Sequence, residues 1–317
     1  MILSFVSTNT LRLDSFLREK LPSLPELSGK ELSNSKIRRL ILAGCVSVNG
    51  RKCTRPAFEL RGRSSVSVNL DMEKFFFEKQ PDDIDFVLTE KDVLFEDDVI
   101  IVVNKPAFLP VEQTITGNRK NLHDAVVDYL WKKKPSLRNP PYAGIMHRLD
   151  RETSGVILFT KSRTVNKAVH DMFENHTCQK TYHALVSENS AASKLGKDFF
   201  TVEKPLGRIS ASSQAAKWGV VPEAKGGLYA KTEFCILGSV PLKSGSGFKN
   251  ALLVEAKPLT GRTHQIRVHS SEKGMPLLGD ELYGGEKWHR VMLHAFSLEF
   301  SHPLTGETMT VSVQEPW

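Results

Sequence analysis

The apolar run Val156-Ile157-Leu158-Phe159 constrains this chain more than any other stretch. Four large hydrophobic residues in succession leave no polar face, so they read as a strand buried on both sides. Directly before it stands His147-Arg148-Leu149-Asp150-Arg151-Glu152-Thr153-Ser154-Gly155, a polar segment that sets the Asp150 carboxylate among basic side chains. Reactive groups are often carried this way, on a loop pinned to a rigid sheet. An ordinary ion-paired surface turn has the same composition and is the commoner case. The residues alone leave both readings open.

Charge divides the 317 residues into two bodies. Between Lys30 and Arg63 nine basic residues (Lys30, Lys36, Arg38, Arg39, Arg51, Lys52, Arg55, Arg61 and Arg63) stand against Glu31 and Glu59. That density over so short a span is an electrostatic footprint for phosphates. From Asp71 to Asp98 the balance inverts: eleven carboxylates face Lys74, Lys79 and Lys91, with Gln80-Pro81-Asp82-Asp83 inside the stretch. Such a shift marks a linker. The expected division is a small domain over 1–75, an acidic linker over 76–92 and a large domain over 93–317.

In the small domain, Leu13, Phe16, Leu17 and Leu21 recur at helical spacing before Pro22. A second helix is capped by Ser33-Asn34-Ser35, turns Ile37, Leu40 and Ile41 inward and ends at Gly44. Val46 and Val48 alternate as a strand into an Asn49-Gly50 hairpin turn. The large domain opens with the strand Val99 to Val103 and a helix carrying Leu122, Val126, Tyr129 and Leu130, which ends in Lys132-Lys133-Lys134. A helix behind Ser162 and Thr164 and a strand from Lys180 to Val186 follow. Later strands run over 230–237 and 252–256, and a short helix runs through His264 to His269. Residues 188–250 otherwise carry little signal.

A hydrophobic content of 40% with 25% charged residues reads as globular. No apolar run approaches the roughly 20 residues of a membrane helix, and the cytoplasm is the expected compartment. Cys45, Cys53, Cys178 and Cys235 form no CxxC pair, and the histidines form no HExxH, so no metal is expected. A net charge of +7 and a pI near 9.1 favour an anionic partner, nucleic acid before membrane. Neither a P-loop nor a GxGxxG after a strand is present.

The nine residues HRLDRETSG resemble the central motif of the RluA-type pseudouridine synthases. VLFEDDVIIVVNKPAFLPV resembles that family's first motif, with Phe108 where glycine is usual, and KPLTGRTHQIRVH resembles its third. PLLGDELYG and LHAFSLEFSHPLTGE continue the match, so the likeness spans most of 91–317. RLDSFL followed by SKIRRLILAGCVSVNG is similar to the small RNA-binding domain shared with ribosomal protein S4, although Gly62-Arg63 replaces the usual Gly-Asp.

The resemblance implies an α+β fold: a large catalytic domain with a mostly antiparallel mixed β-sheet flanked by helices, behind a small α/β RNA-binding domain. It implies isomerisation of uridine in structured RNA, ribosomal rather than transfer RNA, by cleavage of the C1′–N1 bond and rejoining through C5. Because that reaction changes no oxidation state, no cofactor is expected, and the enzyme is expected to act as a monomer. Asp150 corresponds to the catalytic carboxylate, which attacks C1′ or the uracil ring or takes a ribose proton. Arg267 corresponds to the arginine that keeps it ionised, and Tyr182 in KTYHALV to the tyrosine stacked on the base. Arg148 corresponds to the arginine that fills the space of a flipped nucleotide. His147 and Arg151 belong to the same RNA-contacting set, with structural roles open to them, and Lys36, Arg38, Arg39, Arg51 and Lys52 are expected to grip phosphate. A non-catalytic RNA-binding or ribosome-assembly factor would share the fold but not need Asp150, Tyr182 and Arg267 together. A sugar hydrolase would need a second catalytic carboxylate, which Glu152 does not clearly supply.

Overall fold

The computed structural model describes residues 1–27, 32–70, 82–113, 119–188, 190–191, 199–209, 217–242 and 250–317. Its contacts divide the chain into two compact units, one from the residues up to Leu70 and one from almost all of those from Asp82 on.

The small unit runs β1 (Ile2–Val6), β2 (Leu11–Arg12), α1 (Leu13–Lys20), α2 (Asn34–Leu42), β3 (Val46–Val48), β4 (Arg51–Lys52), β5 (Glu59–Leu60) and β6 (Ser65–Asn69). Its four-stranded sheet has the order β1-β6-β3-β4, and β2 pairs with β5. Ser33 caps α2 by accepting the Lys36 backbone N–H at 3.3 Å. The buried stripe Ile37, Leu40 and Ile41 leaves Arg38 exposed on the other side of the helix. Asn49 and Gly50 both take positive φ, the backbone a two-residue hairpin needs. The Lys52 stem crosses Gly44, where an added Cβ would lie 1.8 Å from Lys52 Cε. The hairpin thereby brings its cation to the C-terminal end of α2. Lys30 lies outside the described residues.

The large unit continues with β7 (Val93–Glu96), β8 (Ile100–Lys105), α3 (Leu122–Lys133), β9 (Gly144–Ile145), β10 (Ser154–Thr160), α4 (Asn166–Glu174) and β11 (Gln179–Ser187). Then come β12 (Phe199–Glu203), β13 (Leu206–Arg208), β14 (Trp218–Val220), β15 (Lys231–Pro241), β16 (Asn250–Pro258), α5 (Gln265–Glu272), β17 (Leu293–Ser301) and β18 (Thr308–Ser312). A ten-stranded sheet has the order β12-β15-β16-β11-β17-β10-β8-β7, with β18 on β17 and β9 on β10. Among the described residues its pairs are antiparallel except β10 with β17. This is the α+β, mixed and mostly antiparallel architecture expected. No helix among the described residues is long and apolar enough to cross a membrane.

The run at 156–159 lies on β10 with at most 2% exposure, because helices cover both faces of the sheet there. Ile157 and Phe159 pack with Ile101, Val103 and the Val126 side of α3. Val156 and Leu158 pack with Ile100, Val102 and Val169 of α4. Each such side chain contributes about 1.5–3 kcal/mol by burial, which makes β10 a rigid base for the polar turn before it.

One expectation needs correction. From Asp82 the chain belongs to the large unit rather than to a linker over 76–92, with Leu88 buried at 4% and Ile84 and Phe86 packed on the same core as α3. Asp82 and Asp83 pair with Arg151, and the Asp83 side chain is buried in doing so. The preceding residues 71–81 lie outside the described set. Lys133 pairs with Glu96 at 2.8 Å, which ties the end of α3 to β7.

Gly155, the last residue of the central motif, has a physical requirement for glycine. Its φ is +114°, and an added Cβ would stand 2.2 Å from the Ala295 carbonyl oxygen across the parallel β10/β17 pair. Gly155→Ala is expected to lower the unfolding free energy by about 3 kcal/mol, through a conformation closed to L side chains and a backbone clash. Urea unfolding of the variant checks this; an unchanged midpoint contradicts it.

Candidate active site

Asp150 sits in the turn that enters β10, closed by the Thr153 N–H donating to the Asp150 carbonyl at 3.1 Å. Leu149, 7% exposed, anchors the turn in the core. Two buried cations hold the turn by its carbonyls. Lys105 Nζ, at the end of β8, donates to Arg151 O at 3.0 Å and Pro106 O at 2.9 Å. Arg290 Nη1 lies 3.4 Å from Glu152 O. Burial pushes the Lys105 ammonium down to about 7, against the charges of Glu152 and Asp150, and burial alone pushes Arg290 down to about 10.

Sheet order brings Tyr182 near this turn. Gly155 pairs with Ala295 on β17, and Ala295 pairs with Tyr182 on β11, so the three form one row across adjacent strands. Two strand spacings separate Tyr182 from Gly155, about 10 Å. Burial raises the Tyr182 hydroxyl well above its ordinary value, and the Asp150 charge adds to the shift. The phenol is therefore neutral at physiological pH.

Arg267 arrives on α5. That helix is pinned to the start of β15: Gln265 Nε2 donates to Lys231 O and to Thr232 Oγ1, both at 2.9 Å, and His269 Nδ1 lies 2.9 Å from Thr232 Oγ1. The main partner of Arg267 is Asp280, a residue that sequence reasoning did not single out. Arg267 Nε and Nη2 donate to the two Asp280 oxygens at 2.7 Å each, with the carboxylate fully buried. One edge of the guanidinium is consumed, and the remaining Nη1 points at Asp150 Oδ2 from 3.8 Å. Burial would weaken the Arg267 charge, but the hydrogen-bonded Asp280 and the nearby Asp150 more than offset it and hold its pKa up. The cue for Asp280 was available: a buried arginine requires a buried carboxylate, and PLLGDELYG holds one.

His264 and Tyr283 complete the surroundings. His264 Nε2 lies 4.0 Å from Asp150 Oδ2, and its Nδ1 lies 2.8 Å from the Tyr283 hydroxyl. The Tyr283 ring lies 5.1 Å from the Arg267 guanidinium. Neither separation to Asp150 is a hydrogen bond, so the carboxylate is held electrostatically while its oxygens stay accessible, the side chain being 27% exposed.

The other motif residues take distinct positions. Arg148 is exposed and pairs with Glu112 at 2.7 Å, a surface contact of about 0–1 kcal/mol that a phosphate can displace. Arg151 is instead committed to Asp82, Asp83 and Glu152 and stacks near the Phe108 ring at 5.3 Å. Phe108 itself takes the left-handed conformation, φ 64°, that a glycine adopts freely. His147 stacks on Phe173 at 4.4 Å, and its Nε2 accepts the Leu158 N–H at 3.0 Å. The Arg151 guanidinium nitrogens and His147 Nε2 are thus engaged inside the fold.

Residues 99–272 match the family model for RNA pseudouridylate synthase, and residues 27–65 match that for the S4 domain. The chain belongs to the RNA pseudouridylate synthase family, isomerases that convert uridine in RNA to pseudouridine. Within that family it is similar to ribosomal large subunit pseudouridine synthase C of Yersinia pestis, 33% identical over 322 residues, covering 95% of this chain and 87% of that one. Ribosomal large subunit pseudouridine synthase D of Zymomonas mobilis is 30% identical over 297 residues, covering 90% and 86%. The structure of human RNA pseudouridylate synthase domain containing 4 shares the fold, with a TM-score of 0.54 at 24% identity over 71% of this chain and 89% of that chain.

Two variants test the internal contacts. Asp280→Ala strands a buried guanidinium and is expected to cost about 3–5 kcal/mol of stability, read by urea unfolding; a loss under 1 kcal/mol contradicts this. His147 is pushed down to about 3 from 6.5, by burial and then by the Lys180 charge. Between those values the unfolded chain binds a proton that the folded chain does not, so the stability tied to His147 is lost as pH falls from 6.5 toward 3. His147→Phe is expected to flatten the decline in unfolding free energy over that range, and an unaltered slope contradicts the assignment.

Proposed function

We propose that the chain isomerises uridine in large-subunit ribosomal RNA, with Asp150 as the reacting carboxylate. The observation that carries this reading is the setting of Asp150. It stands on a rigid turn, faces the guanidinium Nη1 of Arg267 at 3.8 Å and is bonded to neither neighbour closely enough to be closed off. Breaking the C1′–N1 bond leaves uracil as an anionic fragment, which must turn before C5 joins C1′ and the C5 proton departs. A charged carboxylate beside a fixed cation can serve the carbohydrate side of that reaction. Tyr182, a neutral phenol on the adjacent strand row, gives the freed uracil a face to stack on.

Taking a uridine from folded RNA costs a few kcal/mol of unstacking. Arg148, exposed and only weakly paired, can reach into the vacated stack, since a guanidinium both stacks on bases and binds phosphate. Lys36, Arg38 and Arg39 of α2 with Arg51 and Lys52 of β4 supply cations on the small unit that hold RNA by its phosphates. The likeness to ribosomal large subunit pseudouridine synthases C and D supports ribosomal RNA as the class of substrate.

Pseudouridine mapping on ribosomal RNA transcribed without the modification provides the test. Asp150→Asn is expected to reduce the rate by about 10⁴-fold or more, while binding RNA normally. Undiminished activity in that variant removes Asp150 from the chemistry, and no product from any ribosomal RNA overturns the substrate class. A four-site variant, Arg38→Gln, Arg39→Gln, Arg51→Gln and Lys52→Gln, is expected to flatten the log–log salt dependence of RNA binding by about 3, given roughly 0.7–0.9 per phosphate contact. An unchanged slope counts against the basic face.

A further inference from the structure

Asp150 is held unequally at its two oxygens. Arg267 Nη1 at 3.8 Å and His264 Nε2 at 4.0 Å both approach Oδ2. We propose that His264 is a positioning residue for the pseudouridine reaction: as a neutral Nε2–H donor set by Tyr283, it works with Arg267 to fix Asp150 by Oδ2, so that Oδ1 is presented to the nucleotide. The inference rests on the reading of Asp150 as the reacting carboxylate.

The tautomer follows from hydrogen-bond bookkeeping. The Tyr283 hydroxyl oxygen accepts the Trp218 backbone N–H at 3.0 Å and lies 2.8 Å from His264 Nδ1. A phenol has one proton to give, and among the described residues Nδ1 is the acceptor within its reach. With Nδ1 accepting, the ring hydrogen of a neutral imidazole is on Nε2, the nitrogen that faces Asp150. Burial lowers the His264 pKa and the Arg267 charge works in the same sense, against the opposing charges of Asp150, Asp280 and Glu152. Burial also pushes the Tyr283 hydroxyl up to about 12, so it stays a donor.

The backbone points to the same role. His264 is the residue before α5 and takes the left-handed conformation, φ 55° and ψ 21°, which costs a non-glycine residue roughly 1 kcal/mol. Strain of that kind persists where surrounding contacts overdetermine it, often at functional sites. Here the Tyr283 bond and the edge-on packing of the two rings at 5.6 Å hold it. A 4.0 Å separation becomes a hydrogen bond on an approach of about 1 Å, a usual tightening when substrate fills a site.

Steady-state pseudouridine formation with the full chain separates the possibilities. His264→Leu is expected to lower kcat about 30-fold with KM within twofold. His264→Gln, whose amide can occupy the Nε2 position, is expected to recover most of that loss. Tyr283→Phe frees the tautomer and is expected to lower kcat about tenfold. Wild-type kcat in His264→Leu, or equal loss in the Leu and Gln variants, overturns the proposal. Asp150→Asn in the same assay distinguishes the two readings. If it is active, the assignment of Asp150 fails; if it is inactive while His264→Leu is not, only the role of His264 fails.

Discussion

The hydrogen-bonded pair between Arg267 and Asp280 is the contact on which the arrangement of the site depends. A reacting carboxylate needs a cation nearby, yet a cation free to swing would close on it in a bidentate bond and occupy both oxygens. Asp280 prevents this by taking Nε and Nη2, so that Nη1 alone faces Asp150. The pair is buried, where loss of one partner is costly. Orientation is therefore obtained from the part of the site farthest from solvent.

The same division of labour recurs around the turn. Lys105 and Arg290 act on backbone carbonyls of residues 151 and 152 rather than on the Asp150 side chain. Arg151, beside Asp150 in sequence, faces away to Asp82, Asp83 and Glu152 and fastens the incoming chain to the large unit. The cations around the turn thus separate into Lys105 and Arg290, which shape its backbone, and Arg267, which meets the carboxylate, while Arg148 and Arg151 of the motif pair elsewhere. Beneath them the two-faced burial of β10 supplies stiffness, and Gly155 permits the close parallel approach of β17.

Much of the framework was legible because it is local. The stripe Ile37, Leu40 and Ile41, the Ser33 cap, the Asn49-Gly50 turn and the apolar run at 156–159 each encode their element within a few residues. The separation of a basic small unit from a larger one was likewise visible in charge. The linker was misjudged in part because an acidic composition looks the same whether carboxylates are solvated or paired; only the position of Arg151 distinguishes the two.

By itself the sequence determined the longer strands and helices outside 188–250 and the family, and it singled out Asp150, Tyr182 and Arg267, since each belongs to a continuous motif. Only the tertiary structure decided which cation meets which carboxylate. Arg267 is 13 residues from Asp280 yet bonds it twice, while Asp150, 117 residues earlier, receives a single guanidinium nitrogen. It also decided that His147 stacks on Phe173 with Nε2 turned to the backbone of β10, and that His264 faces Asp150. Side-chain direction and burial depend on how distant strands and helices meet, and pairing between buried charges is settled by that geometry rather than by residue order.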